Sequence, residues 1–555
     1  MAEADGDAFD AVSRSPGLQR LLLTLPGLGF APSPAVEAAL LAMLTLSEDN
    51  AEFARALLAA DETTATYEKL VALQKAGTGA GGGGSSSGGG GTYRAVLACG
   101  ILHNVFAALE WHDQNPGRDG ASDAVLIPTL AQALGQARAQ GPNAANGGSG
   151  RDSSSTASAV DVLQLALEVL ASIGTTLQES LEKGNKEEEE WEGFGDDGDD
   201  AMDADDVIGD ADDDDDDEDL SEAGAPAGAT GEDHEMDDDA MEADMEMVTA
   251  ADDYPDGAGA GTGIDDLPTL RELLQAAVPQ ILEVARTPAP ENDESAATSI
   301  RTHAFSALNN IAWTVSCIDF SEGQNAAIRR AWAPVARAVW RDAVGPVLAS
   351  DTSDVGLATV VTSLAWALAR TLHHSDASSS SSSSSSFLAG DEHRKFMALY
   401  QASKSLGTEQ QQQQQQQPGQ GQVQGQQEDP FQGLGVKCIG VLGQLARDPA
   451  PVELNREIGA FLLEVVSGTG STTPTADAVE ALNQLFDIYG DETRACDAAV
   501  FWRDGFLRRL EEAVPPFRAA AKRVDRGRAA ELRQRADETL INLTRFVQYK
   551  QKHRP

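Results

Sequence analysis

The sequence is poor in aromatic residues. Aromatic side chains make up 5% of its 555 residues, whereas hydrophobic residues as a whole reach 41%. The apolar content is therefore mostly Ala, Leu and Val, which suit many small helix–helix contacts better than one large aromatic core. A chain of this length exceeds what one compact core usually organises, so we expect several domains or an extended repeat array.

Cysteine is also scarce, and its placement excludes a disulfide or zinc framework. Cys99, Cys317, Cys438 and Cys496 are far apart in the sequence. Three of the four lie in apolar helical patterns, which indicates buried thiols in a reducing compartment. No apolar run reaches the roughly 18 residues of a membrane span, and the N-terminus lacks the basic and apolar regions of a secretory signal. We therefore expect a soluble intracellular protein.

Motifs of catalytic chemistry are missing from the sequence. The eight histidines are scattered, and no nucleophile elbow, phosphate-binding loop or metal-spaced cluster occurs. We predict a protein that is not an enzyme and that has no cofactor and no metal site.

Cationic residues are almost absent from one segment, which is the clearest chemical feature of the chain. Residues 184–256 contain 34 Asp and Glu against the single Lys186, so they carry −33 of the formal net charge of −49. The residues predicted to bind a partner here are Asp212, Asp213, Asp214, Asp215, Asp216, Asp217, Glu218 and Asp219. So charged a segment does not fold alone, and its field attracts basic proteins and repels nucleic-acid phosphates. A solvated spacer without a ligand is the alternative.

The periodicity of the apolar residues predicts helices throughout and no strands. These helices come in consecutive pairs, which is typical of α-solenoids. We therefore predict an all-α solenoid of the armadillo/HEAT type, interrupted by acidic, Gly/Ser, poly-Ser and poly-Gln loops. The predicted helices span residues 34–43, 48–58, 93–111, 125–134, 160–182, 267–285, 298–316, 326–348, 354–372, 433–447, 451–466, 475–489, 496–512 and 527–550.

Changes in composition divide the chain into five segments. The predicted segments are N-terminal armadillo-like repeats (1–183, with a Gly/Ser loop at 77–92), a disordered acidic insertion (184–266), HEAT-like repeats (267–375), Ser- and Gln-rich loops around one short helix (376–430) and C-terminal HEAT-like repeats (431–555).

Two helices repeat a spacing that suits peptide recognition. Asn309 stands one helical turn before Trp313, and Asn483 stands one turn before Asp487. In solenoids that bind extended peptides, an inner-helix amide holds the peptide backbone and indoles flank Lys or Arg stems. The predicted partner-binding residues of the helices are Asn309, Asn310, Trp313, Trp366, Asn483 and Asp487. The alternative is that the tryptophans only fill the space between repeats.

The C-terminal region from Arg508 to Arg554 is rich in cations, with Glu531, Asp537 and Glu538 interspersed. We interpret it as a charged solvent face held by intramolecular ion pairs. A nucleic-acid patch, a nuclear signal or an internal site for the acidic segment are the alternatives.

Four stretches together resemble the symportin family, the synchronised-import adaptors of fungi, whose animal relatives are HEAT-repeat proteins. They are ALNNIAWTVSCIDFSEGQNAAIRRAW, VLASDTSDVGLATVVTSLAWALAR, ALNQLFDIYGDE and ELRQRADETLINLTRFVQYK, at 307–332, 347–370, 481–492 and 531–550. The resemblance implies an armadillo-then-HEAT superhelix that binds the two large-subunit ribosomal proteins that assemble with 5S ribosomal RNA.

The resemblance also implies that the protein travels with an import receptor, a karyopherin, shuttles between cytoplasm and nucleus, and chaperones its cargo until assembly. In the family a receptor-binding signal precedes the first repeats. No basic Pro-Tyr signal lies before Leu18, so we expect that part of the family's sequence to be missing here. We expect a monomer apart from its cargo, with no direct contact to nucleic acid or membrane. There are two alternatives. The protein is a general chaperone or karyopherin-like binder of other basic proteins such as histones, or it is a structural scaffold.

Overall fold

Helices account for all regular secondary structure in the described part of the chain, apart from two isolated β-bridges. The computed structural model describes residues 33–59, 65–77, 89–140, 158–191, 264–287, 294–320, 325–350, 354–376, 391–416 and 429–555. These helices alternate between two packed rows, which we name the A row and the B row.

The A row is the series of helices that carries the predicted Asn and Trp residues. It consists of α1 (Ser33–Ser47), α4 (Gly89–Ala108), α6 (Ala159–Trp191), α9 (Glu294–Ser316), α12 (Val355–Asp376), α14 (Leu434–Ala446), α16 (Thr475–Tyr489) and α18 (Ala530–Lys552).

The B row packs behind it. It consists of α2 (Ala51–Ala59), α3 (Thr66–Gly77), α5 (Ile127–Gln140), α7 (Pro268–Glu272), α8 (Val278–Arg286), α10 (Ala326–Val339), α11 (Gly345–Ala349), α13 (Glu392–Gln416), α15 (Val452–Ser467) and α17 (Phe506–Arg523).

Burial along each A-row helix follows from how many neighbours it has. Helix α14 lies between α12 and α16 with B-row helices behind it, and every residue from Cys438 to Ala446 is buried. Helix α18 is the last described member of the row, and its buried residues recur every three or four positions, as one helical face requires. They are Ala536, Thr539, Leu543, Val547 and Lys550.

Two B-row helices change to a π-turn directly before a proline. Leu273–Ala277 joins α7 to α8 before Pro279, and Trp340–Val344 joins α10 to α11 before Pro346. Proline has no N–H to give to the preceding turn, so the wider turn accommodates the missing hydrogen bond without ending the helix. The sequence pattern predicts one continuous helix in both places.

Several predicted boundaries are wrong because helices propagate into polar or low-complexity sequence. Helix α13 runs to Gln416 through much of the glutamine run, where only one short helix was expected, and α6 continues to Trp191 inside the predicted acidic insertion. Glu and Gln are good helix formers, so a helix started by apolar packing extends through them.

Helix α4 begins at Gly89, inside the predicted Gly/Ser loop, and α3 was not predicted.

Helix α17 runs to Arg523, eleven residues beyond the predicted end, and includes Pro515 and Pro516. Leu510, Ala513 and Phe517 are buried on one face across the prolines, so packing against α15 and α18 maintains the helix despite the lost hydrogen bonds.

Two A-row helices are long and apolar enough to cross a membrane by length and composition alone, in Ala159–Glu182 and Val355–Leu372. The second is 67% buried in the packed rows. Both make side-chain contacts with neighbouring A-row helices, which is how core helices of a repeat protein come to pass such a test.

The prediction of an all-α armadillo/HEAT-type solenoid is confirmed by this arrangement. The described residues other than 184–191 belong to one compact unit, which comprises Met1–Lys183 and Thr262–Pro555. The division of the chain into five segments stays a prediction. The acidic residues 212–219 lie outside the described residues.

Candidate partner-binding site

Asn310 is a packing residue that joins two A-row helices. Its Nδ2 donates to the backbone oxygen of Ala171 at 3.1 Å and to Thr175 Oγ1 at 3.0 Å, both on α6. Thr314, one turn further along α9, donates its hydroxyl to the Gly174 oxygen at 2.8 Å. The amide of Asn310 is therefore occupied within the solenoid.

Asn309 faces differently and keeps one polar atom without a partner. Its Nδ2 donates to Asn310 Oδ1 at 3.3 Å, while its Oδ1 is buried and accepts no hydrogen bond from any described residue. A buried acceptor without a donor raises the free energy of the folded state. The role of Asn309 in binding a partner stays a prediction.

Trp313 and Trp366 pack on each other in the space between α9 and α12. Their rings meet edge to face with centroids 5.5 Å apart, and Trp313 Nε1 donates to Ser363 Oγ at 3.0 Å. The guanidinium of Arg370 lies 5.4 Å from the Trp313 ring centroid. The indole face predicted to receive a client cation is thus covered by a cation of the chain itself.

The next helix fixes Trp366 from behind. A Cβ added at Gly440 of α14 would lie 2.3 Å from the indole, so only glycine lets the two helices approach this closely. Gly443, one turn further along α14, makes the same kind of close contact, with the side chain of Gln484 on α16. The indole Nε1 of Trp366 is buried without a hydrogen-bond partner among the described residues.

Asp487 is held by two arginines rather than free for a client. Its carboxylate forms an ion pair with Arg447, at the end of α14, and its backbone oxygen accepts from Arg494 at 2.8 Å. The second arginine satisfies a carbonyl at the C-terminal end of α16, which otherwise lacks a helical partner.

An open groove lies between α16 and α18. It has a volume of about 450 Å³ and is lined by Asn483, Phe486, Asp487, Asn542, Arg545, Phe546 and Tyr549. The rings of Phe486 and Phe546 pack at 5.1 Å and form its apolar base. The side-chain amides of Asn483 and Asn542 make no hydrogen bond with any described residue, and Arg545 has no ion pair there. The groove therefore combines an apolar base with free donors and acceptors.

A buried ion pair fixes α18, one wall of this groove. Lys550 is fully buried, and its Nζ lies 2.6 Å from Asp497 Oδ1, while Trp502 Nε1 donates to Asp497 Oδ2 at 2.9 Å. The rings of Phe501 and Phe546 flank the ammonium at 5.1 and 5.8 Å. Because the charge is paired and surrounded by aromatic rings, its burial is tolerated at the end of the solenoid.

Sequence reasoning found one wall of the groove and missed the other. Asn483 and Asp487 were predicted, whereas Asn542, Arg545 and Phe546 were not. Asn542 and Arg545 stand three residues apart on a helix with its charged face towards solvent, which is an ordinary surface pattern. Only the packing of α18 against α16 identifies them.

The C-terminal cations behave as predicted in part. Arg508 pairs with Glu512, Arg535 with Glu531 and Arg533 with Asp537, each one turn apart. The expected intramolecular pairs therefore exist on α17 and α18, but not at every cation of the region.

Cysteine and metal chemistry add no second site to the described residues. Cys99, Cys438 and Cys496 are buried free thiols, as predicted, and burial raises the pKa of each. No group of three His, Cys, Asp or Glu within the described ranges is placed to hold a metal ion.

The paired helices in two packed rows define a class of protein, the helical-repeat solenoid. Residues 269–554 match the family described as SYO1-like, TPR repeats. The chain is 45% identical to Symportin 1 of Chaetomium thermophilum over 582 aligned positions, which cover 100% of this chain and 75% of that protein. It therefore belongs to the symportin family.

More distant relatives match shorter stretches. The armadillo repeat protein involved in nucleocytoplasmic transport Syo2 of Schizosaccharomyces pombe is 40% identical over 114 residues, 20% of this chain and 17% of that protein. HEAT repeat-containing protein 3 of Mus musculus is 31% identical over 118 residues, 21% of this chain and 17% of that protein. Both names agree with the two-row helical architecture.

Proposed function

We propose that the protein is an adaptor and dedicated chaperone that binds the large-subunit ribosomal proteins associated with 5S RNA and couples them, through an import receptor, to nuclear import and ribosome assembly. Relatives named for nucleocytoplasmic transport and for synchronised import support this function. The observation that carries it is the open groove between α16 and α18, whose amides are unpaired.

The groove suits a segment of extended polypeptide. Asn483 and Asn542 each offer one carbonyl and one NH₂ group, which match the alternating N–H and C=O of a peptide main chain. Phe486 and Phe546 supply apolar surface for a side chain of the segment. An extended segment has its backbone groups free, so a site with unpaired amides recognises it better than it recognises a folded surface.

Charge directs which clients reach the groove. The acidic residues 184–256, including 212–219, supply a polyanion that raises the association rate of lysine- and arginine-rich proteins and covers their RNA-binding surfaces. Binding therefore weakens as salt is added.

The groove is tested with the purified full chain and each of the 5S-associated ribosomal proteins. We expect N483A/N542A to weaken binding about 30-fold, because two hydrogen bonds at about 1 kcal/mol each are removed. The matched control is Q551A on the same helix, outside the groove, where affinity should not change. Equal affinity of N483A/N542A and wild type in calorimetry would exclude the groove as the site.

The acidic segment is tested by deleting residues 184–256 and repeating the titration from 50 to 300 mM salt. The deletion should slow association and flatten the salt dependence. A histone titrated in parallel separates a dedicated adaptor from a general chaperone: equal affinity for both clients would contradict the proposed cargo specificity.

A further inference from the structure

A group of cations close in sequence, at the end of α17 and in the turn after it, has no ion-pair partners among the described residues. Its members, which we name the α17 turn cluster, are Arg518, Lys522, Arg523, Arg526 and Arg528, and all five are exposed. None of them forms an ion pair with a described residue, in contrast to Arg508, Arg533 and Arg535 nearby. The interpretation of this region as a face of internal ion pairs therefore fails at this turn.

The only acid within this turn is engaged by the backbone. Asp525 Oδ1 accepts the N–H of Gly527 at 2.7 Å and of Arg528 at 3.1 Å. These hydrogen bonds lower the pKa of Asp525. The carboxylate thus shapes the turn that presents the cations, and the surface retains an excess of four positive charges over residues 518–528.

A glycine- and threonine-rich loop lies against the cluster. Arg523 Nη1 donates to the backbone oxygen of Gly470 at 3.4 Å, and Gly470 has a φ of +79°, which favours glycine. Ser471 and Thr472, the next residues, are exposed. Hydroxyl groups therefore accompany the arginines on this surface.

The surface has no apolar centre. The large exposed hydrophobic residues in the described part of the chain are Leu41, Val125, Val355, Ile541 and Tyr549, and none belongs to the cluster or to the loop. A protein interface of useful affinity is built around a buried apolar or aromatic core. A phosphate backbone needs only charge and hydrogen-bond donors.

Contrary to the expectation from the sequence that the chain makes no direct contact to nucleic acid, we propose that the α17 turn cluster binds the phosphodiester backbone of a nucleic acid, without reading its sequence. Four of the five cations are arginines, whose guanidinium groups match two phosphate oxygens at once. The acidic residues elsewhere in the chain do not cancel this attraction, because exposed charges are screened over about 8 Å at physiological ionic strength. This surface is separate from the groove between α16 and α18 and serves a different ligand.

The test is fluorescence anisotropy of the full chain with a labelled single-stranded RNA of 30 nucleotides and with DNA of the same length. If all five cations contact phosphates, the slope of log K against log salt is about −3.5 for a single strand. Affinity then falls roughly 100-fold between 50 and 200 mM salt. A preference for RNA over DNA would assign the ligand to RNA.

The variant R518Q/K522Q/R526Q should reduce this slope by about 2. Its matched control is R503Q/R508Q/K552Q, which removes the same charge from exposed positions before α17, in the first turn of α17 and in the last turn of α18. Circular dichroism checks that both variants fold. Equal slopes in the two variants, or tighter binding of polyglutamate or of anionic lipid vesicles than of either nucleic acid, would overturn the proposal. Cargo binding should survive in the cluster variant. A loss of nucleic-acid binding in this variant can therefore be distinguished from a failure of the groove to bind cargo.

Discussion

The α9–α12 and α16–α18 regions of the A row begin from the same residue spacing and end in different states. In the first, Ser363, Trp366 and Arg370 cover Trp313 and leave little room. In the second, Asn483 faces an open groove of about 450 Å³. A repeated motif therefore does not by itself determine a binding site, because the residues of the next helix decide whether the motif is covered.

The largest expected effect comes from the buried lysine that holds the wall of the open groove. We expect K550M to lower the free energy of unfolding of the α18 end by about 3–5 kcal/mol, because Asp497 is left buried and unpaired. Amide hydrogen exchange of 530–552 measures this locally. The control K552M, at an exposed position, should exchange like wild type. Unchanged protection in K550M would show that the groove does not depend on this ion pair.

The contact between α14 and α16 connects the two regions. It contains Asp477, a buried carboxyl group. Burial raises the pKa of Asp477 to about 6. Its carboxylate lies against Gly435, where an added Cβ would come within 3.0 Å. Because the folded-state pKa is raised above the ordinary value of 3.8, stability is lost as pH rises from about 3.8 to 6 and stays lost above.

We therefore expect D477N to stabilise the protein by up to about 3 kcal/mol at pH 7.5, where the wild type bears the full cost of ionising a buried acid. The gain should fall to roughly half at pH 5, where the folded carboxyl is mostly protonated. Urea unfolding at both pH values measures it. A gain that does not depend on pH would point to packing rather than to ionisation.

The α9–α12 region should depend on the close approach of α14 to α12. We expect G440A to destabilise the protein by about 1–2 kcal/mol, because the new methyl group overlaps the rigid indole of Trp366 by more than the helix preference of alanine offsets. The matched control is G91A in α4, which has no heavy atom within 4 Å and should be neutral or slightly stabilising. Thermal unfolding followed by tryptophan fluorescence distinguishes them. A stabilised G440A would mean that the two helices separate readily.

The smallest effect concerns the cation over Trp313. We expect R370Q to cost about 0.5–1 kcal/mol, the contribution of an exposed cation–π contact, with K395Q as a surface control. Cargo affinity should not change, because Trp366 and Ser363 still cover the site. A marked gain in cargo affinity for R370Q would instead show that Arg370 alone keeps this region closed, and the contrast with the groove would disappear.

The sequence by itself determined the helical class, the paired order of the helices and the buried thiols. These properties follow from apolar periodicity and composition, which act over one or two turns. It also singled out Asn309 and Asn483, because each stands one helical turn before a residue suited to a cationic peptide, Trp313 and Asp487.

Only the tertiary structure decided which of the two amides faces open space. That outcome depends on contacts between residues far apart in the chain, such as Gly440 beneath Trp366 and Lys550 against Asp497. It likewise separated the paired arginines of the C-terminal helices from the unpaired ones at the α17 turn, since an ion pair requires two side chains to meet in space and not merely to be near in sequence.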